Sequence, residues 1–493
     1  MTQHRRNEKW IIPCLWTLWF CVGLIPFRHA TADTGKPTSP NIPLNILLIL
    51  TDDQGMHMSC IGTRGIHTPH MDALARKGVL FEKAYATCAS CSPSRSSILT
   101  GMYPHSNGHW RNTITPVMTD PPEAFGRNAK RVDQVGIHED LPTLIEILNE
   151  KGYVTGITEK FHLSPPWKYP FLIRKACGSH PKSHASAVRS FLKDCADKPF
   201  FLMANVGNTH RPFSRHTFPT PAGPVNPAAI DVPTNLVDTP TMRKDLAEYL
   251  NTVQCADSVI GAILETLYKS GRADNTLVIF TSDQGYAYHR AKATVYNAGV
   301  HVPLIITGPA VSKNRITREL VSHIDLTPTI LDYASIETPD TVQGESLRPL
   351  LENRKNAHGH PLIFSEHNAH GPSEIYPSRA VTDGRMRYIR NLTPEKRYQP
   401  PADLYERKPW DNHSYEATIQ AQKLFPVQYE LLNRTYRRPA EELYDLHTDP
   451  GEIHNLMKDE RYADQRETLR KAMNRWMRET QDPGDPLKIV RRQ

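Results

Sequence analysis

Short apolar runs that stop at polar or charged residues recur along the chain. Residues 45–50 read Asn-Ile-Leu-Leu-Ile-Leu, and Asp52-Asp53 follow almost at once. A run that is apolar at nearly every position fits a strand buried on both faces of a parallel sheet. The stretches 153–158, 200–206 and 276–281 repeat the pattern, each closing in polar groups. Amphipathic stretches alternate with them. The spacing predicts helices over 71–77, over 141–151 with Gly152 as C-cap, and over 244–270. Strand–helix alternation of this kind predicts an α/β doubly wound sheet, with ligands at the carboxyl ends of the strands.

The texture changes after about residue 340. Pro, His and Asn crowd 353–370, and short strand-like pieces follow at 385–391 and 442–446. A strong helix is predicted over 461–480. Its Tyr462, Leu469, Met473 and Trp476 fall on one face at helical spacing, which marks packing rather than a site. At 493 residues the chain exceeds what one growing core accommodates. The expected division is therefore an α/β domain over 44–352 and a smaller α+β lobe over 353–493.

The first residues read as an export signal. Arg5, Arg6 and Lys9 precede an apolar stretch over 10–27, and Ala30-Thr31-Ala32 offers a cleavage site before Asp33. An uncleaved anchor is the alternative, because the stretch is near spanning length. On the first reading 1–32 is signal, 33–43 is a polar tail, and no stable membrane insertion remains. The protein is then periplasmic or secreted, or lysosomal in a eukaryote.

Composition changes this picture little. Hydrophobic residues at 39% and charged residues at 23% fit a soluble globular chain. A net charge of +7 suits a polyanionic substrate and equally a generic basic surface. No nucleic-acid-binding motif accompanies it, so a nucleic-acid partner is not expected. Of 8 cysteines, Cys14 and Cys21 fall in the signal. Among Cys60, Cys88, Cys91, Cys177, Cys195 and Cys255, the candidate pair is Cys177 with Cys195, by proximity alone. Cys88 and Cys91 form a lone C-x-x-C, a weak metal or redox signal. Sequons at Asn391, Asn412 and Asn433 fit chance occurrence.

Candidate chemistry sits where the strands end. Asp52 and Asp53 repel each other unless a positive group lies beside them, and a hard divalent cation with oxygen ligands is one solution. Asp283 and Gln284 follow another strand and would complete an all-oxygen calcium or magnesium site. A solvated turn or helix cap is the plainer reading of the acid pair. Lys160 and His162 follow the 153–158 strand and, if extended, share a side. His210 follows 200–206, and Lys292 lies beyond Asp283. Each alone is more often structural. The run from Cys91 to Gly101 (Cys-Ser-Pro-Ser-Arg-Ser-Ser-Ile-Leu-Thr-Gly) places Cys91 and Arg95 at the start of a short helix. That position activates a thiolate or binds an anion.

The paired acids, the C-x-P-S-R run, the Lys-x-His, the later His, the acid–amide pair and the following Lys closely resemble, in the same order, the type I (formylglycine-dependent) sulfatases. The resemblance implies an alkaline-phosphatase-like mixed sheet with a smaller C-terminal lobe. It implies that Cys91 is converted by a formylglycine-generating enzyme to an aldehyde whose hydrate attacks sulfur. Asp52, Asp53, Asp283, Gln284 and the converted Cys91 would hold one calcium ion. Arg95 and Lys160 would hold the formylglycine, His162 would manage its protons, and His210 and Lys292 would contact sulfate and leaving group. Gln284 departs from the family, where Asn is usual. Thr68–Ala75, Phe280–Gly285, Asp325–Asp332, Tyr376–Arg379, Leu431–Thr435 and the closing 442–483 are similar to the heparan N-sulfatase (sulfamidase) branch. That implies N-sulfoglucosamine units of heparan sulfate or heparin as substrate. An O-sulfatase on another polysaccharide or an aryl sulfate, a phosphoryl hydrolase, and a non-catalytic carbohydrate-binding relative are the rival readings. Homodimerisation is left open.

Overall fold

Residues 43–113, 118, 122–128, 135–398 and 413–489 are described by the structure, a computed structural model. The export signal, its two cysteines, the tail up to residue 42 and Asn412 lie outside them.

The 45–50 run forms β1 (Asn45–Thr51), with all seven residues buried. Its side chains alternate between two cores, as strand geometry requires. Ile46, Leu48 and Leu50 enter one, and Leu47 and Ile49 the other. β1 lies inside an eight-stranded sheet with β2 (Val79–Tyr85), β3 (Val154–Thr158), β4 (Ile173–Lys175), β5 (Phe200–Val206), β6 (Thr276–Ser282), β7 (His301–Thr307) and β8 (Arg315–Ser322). The order is β4-β3-β5-β1-β6-β7-β2-β8. β1 is parallel to β5 and β6, whereas β7 runs antiparallel to β6 and β2, so the sheet is mixed. With β1 between β5 and β6, chain connections leave in opposite directions there, which opens a crevice at the strand ends.

Helices cover both faces. Pro240–Lys269 has 30 residues and starts earlier than the apolar spacing predicts, because Thr239 caps it by accepting from the Met242 amide. Leu144–Glu150 starts later than predicted. The Thr143–Glu146 capping box fixes its first turn, and Gly152 at φ 84° turns the chain away. The sequence reading passes over β2, β4, β7 and β8. β7 carries Pro303, and β8, at the sheet edge, carries Arg315, Arg318 and Glu319, so neither is a clean apolar run.

A second sheet is antiparallel, in the order β12-β11-β10-β9, from β9 (Ile363–His367), β10 (Ser378–Thr382), β11 (Met386–Asn391) and β12 (Glu441–Asp445). Helix Ala463–Glu479 lays Leu469, Met473 and Trp476 on Val381, Tyr388 and Leu443. That stripe is core, as its spacing predicts.

One expectation is corrected. Cys177 and Cys195 are both free thiols. The Cys177 sulfur lies 3.4 Å from His184 Nδ1 in the first turns of helix Pro181–Asp194, whereas Cys195 follows the helix's far end. Asn391 is buried on β11, where its amide donates to the Pro439 carbonyl and to Glu442, so it is closed to a glycan. No described helix is long and apolar enough to cross a membrane.

Candidate active site

Helix Cys91–Thr100 points its first turn at the carboxyl ends of β1 and β6. Every residue of it is buried. Cys91 opens the helix after Ser90, and Gly101 closes it in the left-handed conformation at φ 67°. Ser94 ties the first turn to the Asp283 carbonyl. Arg95, four residues beyond Cys91, therefore reaches the same strand ends.

Three carboxylates meet three cations there. Asp283 Oδ2 accepts from Arg95 Nε at 3.0 Å, and Nη2 of the same guanidinium lies 2.9 Å from that oxygen as an ion-pair contact. Asp52 takes the Lys160 ammonium at 2.7 Å and lies 3.9 Å from Arg95 Nη2. Asp53 takes the Lys292 ammonium at 2.8 Å, and its backbone amide donates to Asp283 at 3.1 Å. Asp53 sits at φ 62°, a turn that swings its side chain back beside Asp52. The Cys91 sulfur lies 3.1 Å from Gln284 Nε2 and 3.5 Å from Asp52 Oδ1. Formally the cluster is neutral, so a divalent cation would leave it positive toward an anionic substrate.

Burial dominates the protonation states. It pushes the Asp283 carboxyl up to about 7, helped by the negative charge of Asp52 and only partly offset by Arg95. Burial acts the same way on Asp52, but Lys160, His210 and Arg95 overcome it and hold that carboxyl well below the usual range. The Cys91 thiol is pushed far up by burial, and Asp52 and Asp283 reinforce this against Lys160 and Lys292. Burial thus favours the neutral thiol at Cys91.

His210 is half-buried at the mouth. Its Nδ1 donates to the Arg211 carbonyl, which leaves Nε2 to accept from Lys292 at 3.3 Å. Lys160 and His162 do not lie on an extended stretch, contrary to the Lys-x-His expectation. Glu159 at φ 62° and His162 at φ 49° turn the chain between them. The turns send Lys160 to Asp52 and His162 Nε2 to the Thr113 carbonyl at 2.8 Å. Burial, then Lys160, keeps the His162 imidazole neutral, and its Nδ1 has no hydrogen-bond partner.

The sequence reading missed Asn205. This polar residue interrupts the apolar β5 run, and that interruption was the available signal. Its Oδ1 accepts from Arg95 Nη1 at 2.6 Å, while Nδ2 donates to the Thr158 and Lys160 carbonyls at 2.9 Å. One buried amide thereby aligns Arg95 with the start of the Lys160 turn.

The donor set suits a hard divalent cation. Asp52, Asp53, Asp283 and Gln284 offer oxygens, and Gln284 Oε1 is buried without a partner. Its Nε2 now bonds Asp53 and Cys91. Turning the amide over presents Oε1 to that same spot, so the longer side chain of Gln284 can still serve.

A family profile described as Sulfatase matches residues 44–172 and 173–336, and one described as N-sulphoglucosamine sulphohydrolase, C-terminal, matches 286–409. Human N-sulphoglucosamine sulphohydrolase is 31% identical over 485 residues, covering 90% of this chain and 91% of that protein. An ulvan-active sulfatase of Formosa agariphila is 27% identical, covering 88% of this chain and 74% of its own length. The fold is shared, at a TM-score of 0.64 and 21% identity, with a solved protein bound to its substrate D-glucosamine-2-N,6-O-disulfate; the likeness covers 90% of this chain and all of the other. Profile, relatives and fold converge on one conclusion: this chain is an enzyme of the sulfatase family.

Proposed function

We propose that the protein hydrolyses sulfo groups from sulfated sugars, and that N-sulfoglucosamine units of heparan sulfate or heparin are its substrate class. Cys91 carries the reading: a buried, neutral cysteine at a helix start, ringed by Arg95, Lys160, Lys292 and three carboxylates. A neutral thiol is a poor nucleophile, so this placement makes chemical sense for a precursor. As formylglycine, position 91 would supply a hydrated aldehyde as nucleophile. A calcium ion held by Asp52, Asp53, Asp283, Gln284 and residue 91 would supply positive charge beside the sulfo oxygens.

The remaining chemistry belongs to the side chains. Arg95, Lys160 and Lys292 set fixed positive charge around the sulfur, where negative charge accumulates as the nucleophile arrives. Asn205 holds Arg95 and the Lys160 turn, so these charges need not reorganise during reaction. Lys292 and His210 Nε2, hydrogen-bonded to each other, are the two groups placed to give a proton to the departing nitrogen or oxygen, and either one serves as the acid. His162 is neutral, and Nδ1 is its open acceptor for a proton from the hydroxyl at position 91.

N-sulfo preference is supported by the human relative and by the N-sulphoglucosamine sulphohydrolase profile over 286–409. The ulvan-active relative favours a second reading, an O-sulfatase on another polysaccharide. Sulfate release from N-sulfoglucosamine, glucosamine 6-sulfate, galactose sulfates and an aryl sulfate decides between them. Fastest turnover of N-sulfoglucosamine is expected, and release confined to O-sulfated substrates would overturn the N-sulfo assignment. The export signal over 1–32, the division at 352/353 and maturation by a formylglycine-generating enzyme belong to the same proposal.

A further inference from the structure

Arg438, just before β12, is 3% exposed, and its guanidinium makes no ion pair with a described carboxylate. Nε donates to the Thr435 carbonyl at 3.3 Å, while Nη1 and Nη2 have no hydrogen-bond partner. Three tyrosine rings enclose the group: Tyr398 at 4.4 Å, Tyr376 at 5.2 Å and Tyr296 at 5.5 Å from the guanidinium carbon. His367, at the end of β9, packs on the same Tyr398 ring at 6.1 Å, and both of its ring nitrogens are buried without partners. A neutral imidazole always carries one N–H. Arg438 and His367 therefore bring at least five unspent N–H donors, four from the Nη atoms and one from the imidazole, to the two sides of one Tyr398 ring.

The surrounding charges do not balance this guanidinium. Arg290 stacks on Tyr296 and donates to the Glu452 carbonyl, and Arg387 faces the Glu452 carboxylate at 3.8 Å. Glu442 is committed to Tyr296, Tyr444 and Asn391. Among the described residues, three buried guanidiniums thus share two carboxylates. Water can satisfy an N–H but cannot cancel a buried charge, which requires an anion.

The cage borders the reaction centre on two sides. Tyr398 donates its hydroxyl to the carbonyl of Ala293, next to Lys292. His370, three residues beyond His367, hydrogen-bonds Ser90, next to Cys91.

We propose that Arg438 and His367 form a buried receptor for one small anion of carboxylate size, separate from the sulfo-binding centre. The anion is either a free inorganic or organic ion or an acidic group on the substrate's neighbouring sugar. The test uses the full chain and its Arg438→Met variant, which keeps apolar contact with the rings. Melting temperature is followed while formate or bromide replaces a bulky sulfonate at constant ionic strength. Without small anion, the variant should match or exceed the wild type, because an uncompensated buried charge is gone. With formate or bromide, only the wild type should gain several degrees, and bromide should give an anomalous diffraction peak within contact of the Arg438 Nη atoms.

Kinetics then separates the two sources. If the substrate supplies the anion, Arg438→Met raises KM about tenfold for a disaccharide carrying a uronate and leaves that for the monosaccharide unchanged. If the ion is free, the two substrates respond alike. Should Arg438→Met fail to fold, Arg438→Lys retains the charge without the fork and should weaken the anion response several-fold. Parallel melting titrations for wild type and variant, together with no bromide peak, overturn the proposal. The melting arm needs no turnover, so its outcome is independent of whether the sulfatase substrate is correctly assigned.

Discussion

Cys91→Ala removes only a sulfur atom from a packed position, so its effects on fold and chemistry can be told apart. Stability should change by about 1 kcal/mol, whereas sulfate release should fall by about 10⁴-fold or more, as for loss of a nucleophile. Circular dichroism melting beside a sulfate assay checks both, and retained turnover would refute the role of position 91. Mass spectrometry of the peptide carrying that position should show the aldehyde in active protein. Asn205→Ala touches no expected substrate atom, yet frees Arg95 Nη1 and two carbonyls. Activity should drop about 10–100-fold, the range for residues that orient a site from behind. The loss should appear in kcat/KM with the fold intact. Asn205 was hidden to sequence reading because an asparagine in a strand says nothing about which arginine it faces.

At the level of elements, the second sheet is tied to the chain end by a buried pair. Arg379 on β10 forks onto Asp482, just beyond helix Ala463–Glu479. Burial would raise the Asp482 carboxyl, but Arg379 outweighs it and holds the group down at about 2. A depressed carboxyl stabilises the fold above its unfolded value of about 3.9 and loses that contribution as pH falls toward 2. Arg379→Met should therefore cost about 3–5 kcal/mol at pH 7, because Asp482 is left buried and unpaired. The gap from wild type should narrow as pH drops from 4 to 2, as read by denaturant unfolding across that range. Trp476→Ala, on the helix face against Val381 and Tyr388, should cost a similar 3–5 kcal/mol without a pH dependence. The Trp476 stripe was legible from spacing alone. The Arg379–Asp482 pair was not, because its partners are 103 residues apart.

For the molecule as a whole, metal removal is the informative perturbation. Exhaustive chelation should lower both sulfate release and melting temperature, since an ion bound only by the folded state adds stability. Calcium should restore both, and unchanged activity in protein verified metal-free would remove the ion from the mechanism. Fold class was readable because β1, β5 and β6 are mostly apolar runs closed by polar residues, with β3 at a matching interval between helices. The antiparallel β7 and the edge strand β8 were not, because strand order comes from pairing rather than from pattern. Likewise the Cys177–Cys195 proximity misled, since a helix between two cysteines keeps them apart.

The sequence by itself determined the local pieces of this enzyme. A buried strand running into Asp52 and Asp53, and a helix opening on Cys91 with Arg95 one turn on, follow from side-chain pattern and backbone preference. Tertiary structure alone decided what those pieces do together. It brought Lys160, His210 and Lys292 to acids up to 239 residues away. It also sealed Cys91 from water among carboxylates, so that its thiol stays neutral. That outcome depends on desolvation and on charges from distant strands, which only the folded chain brings into range.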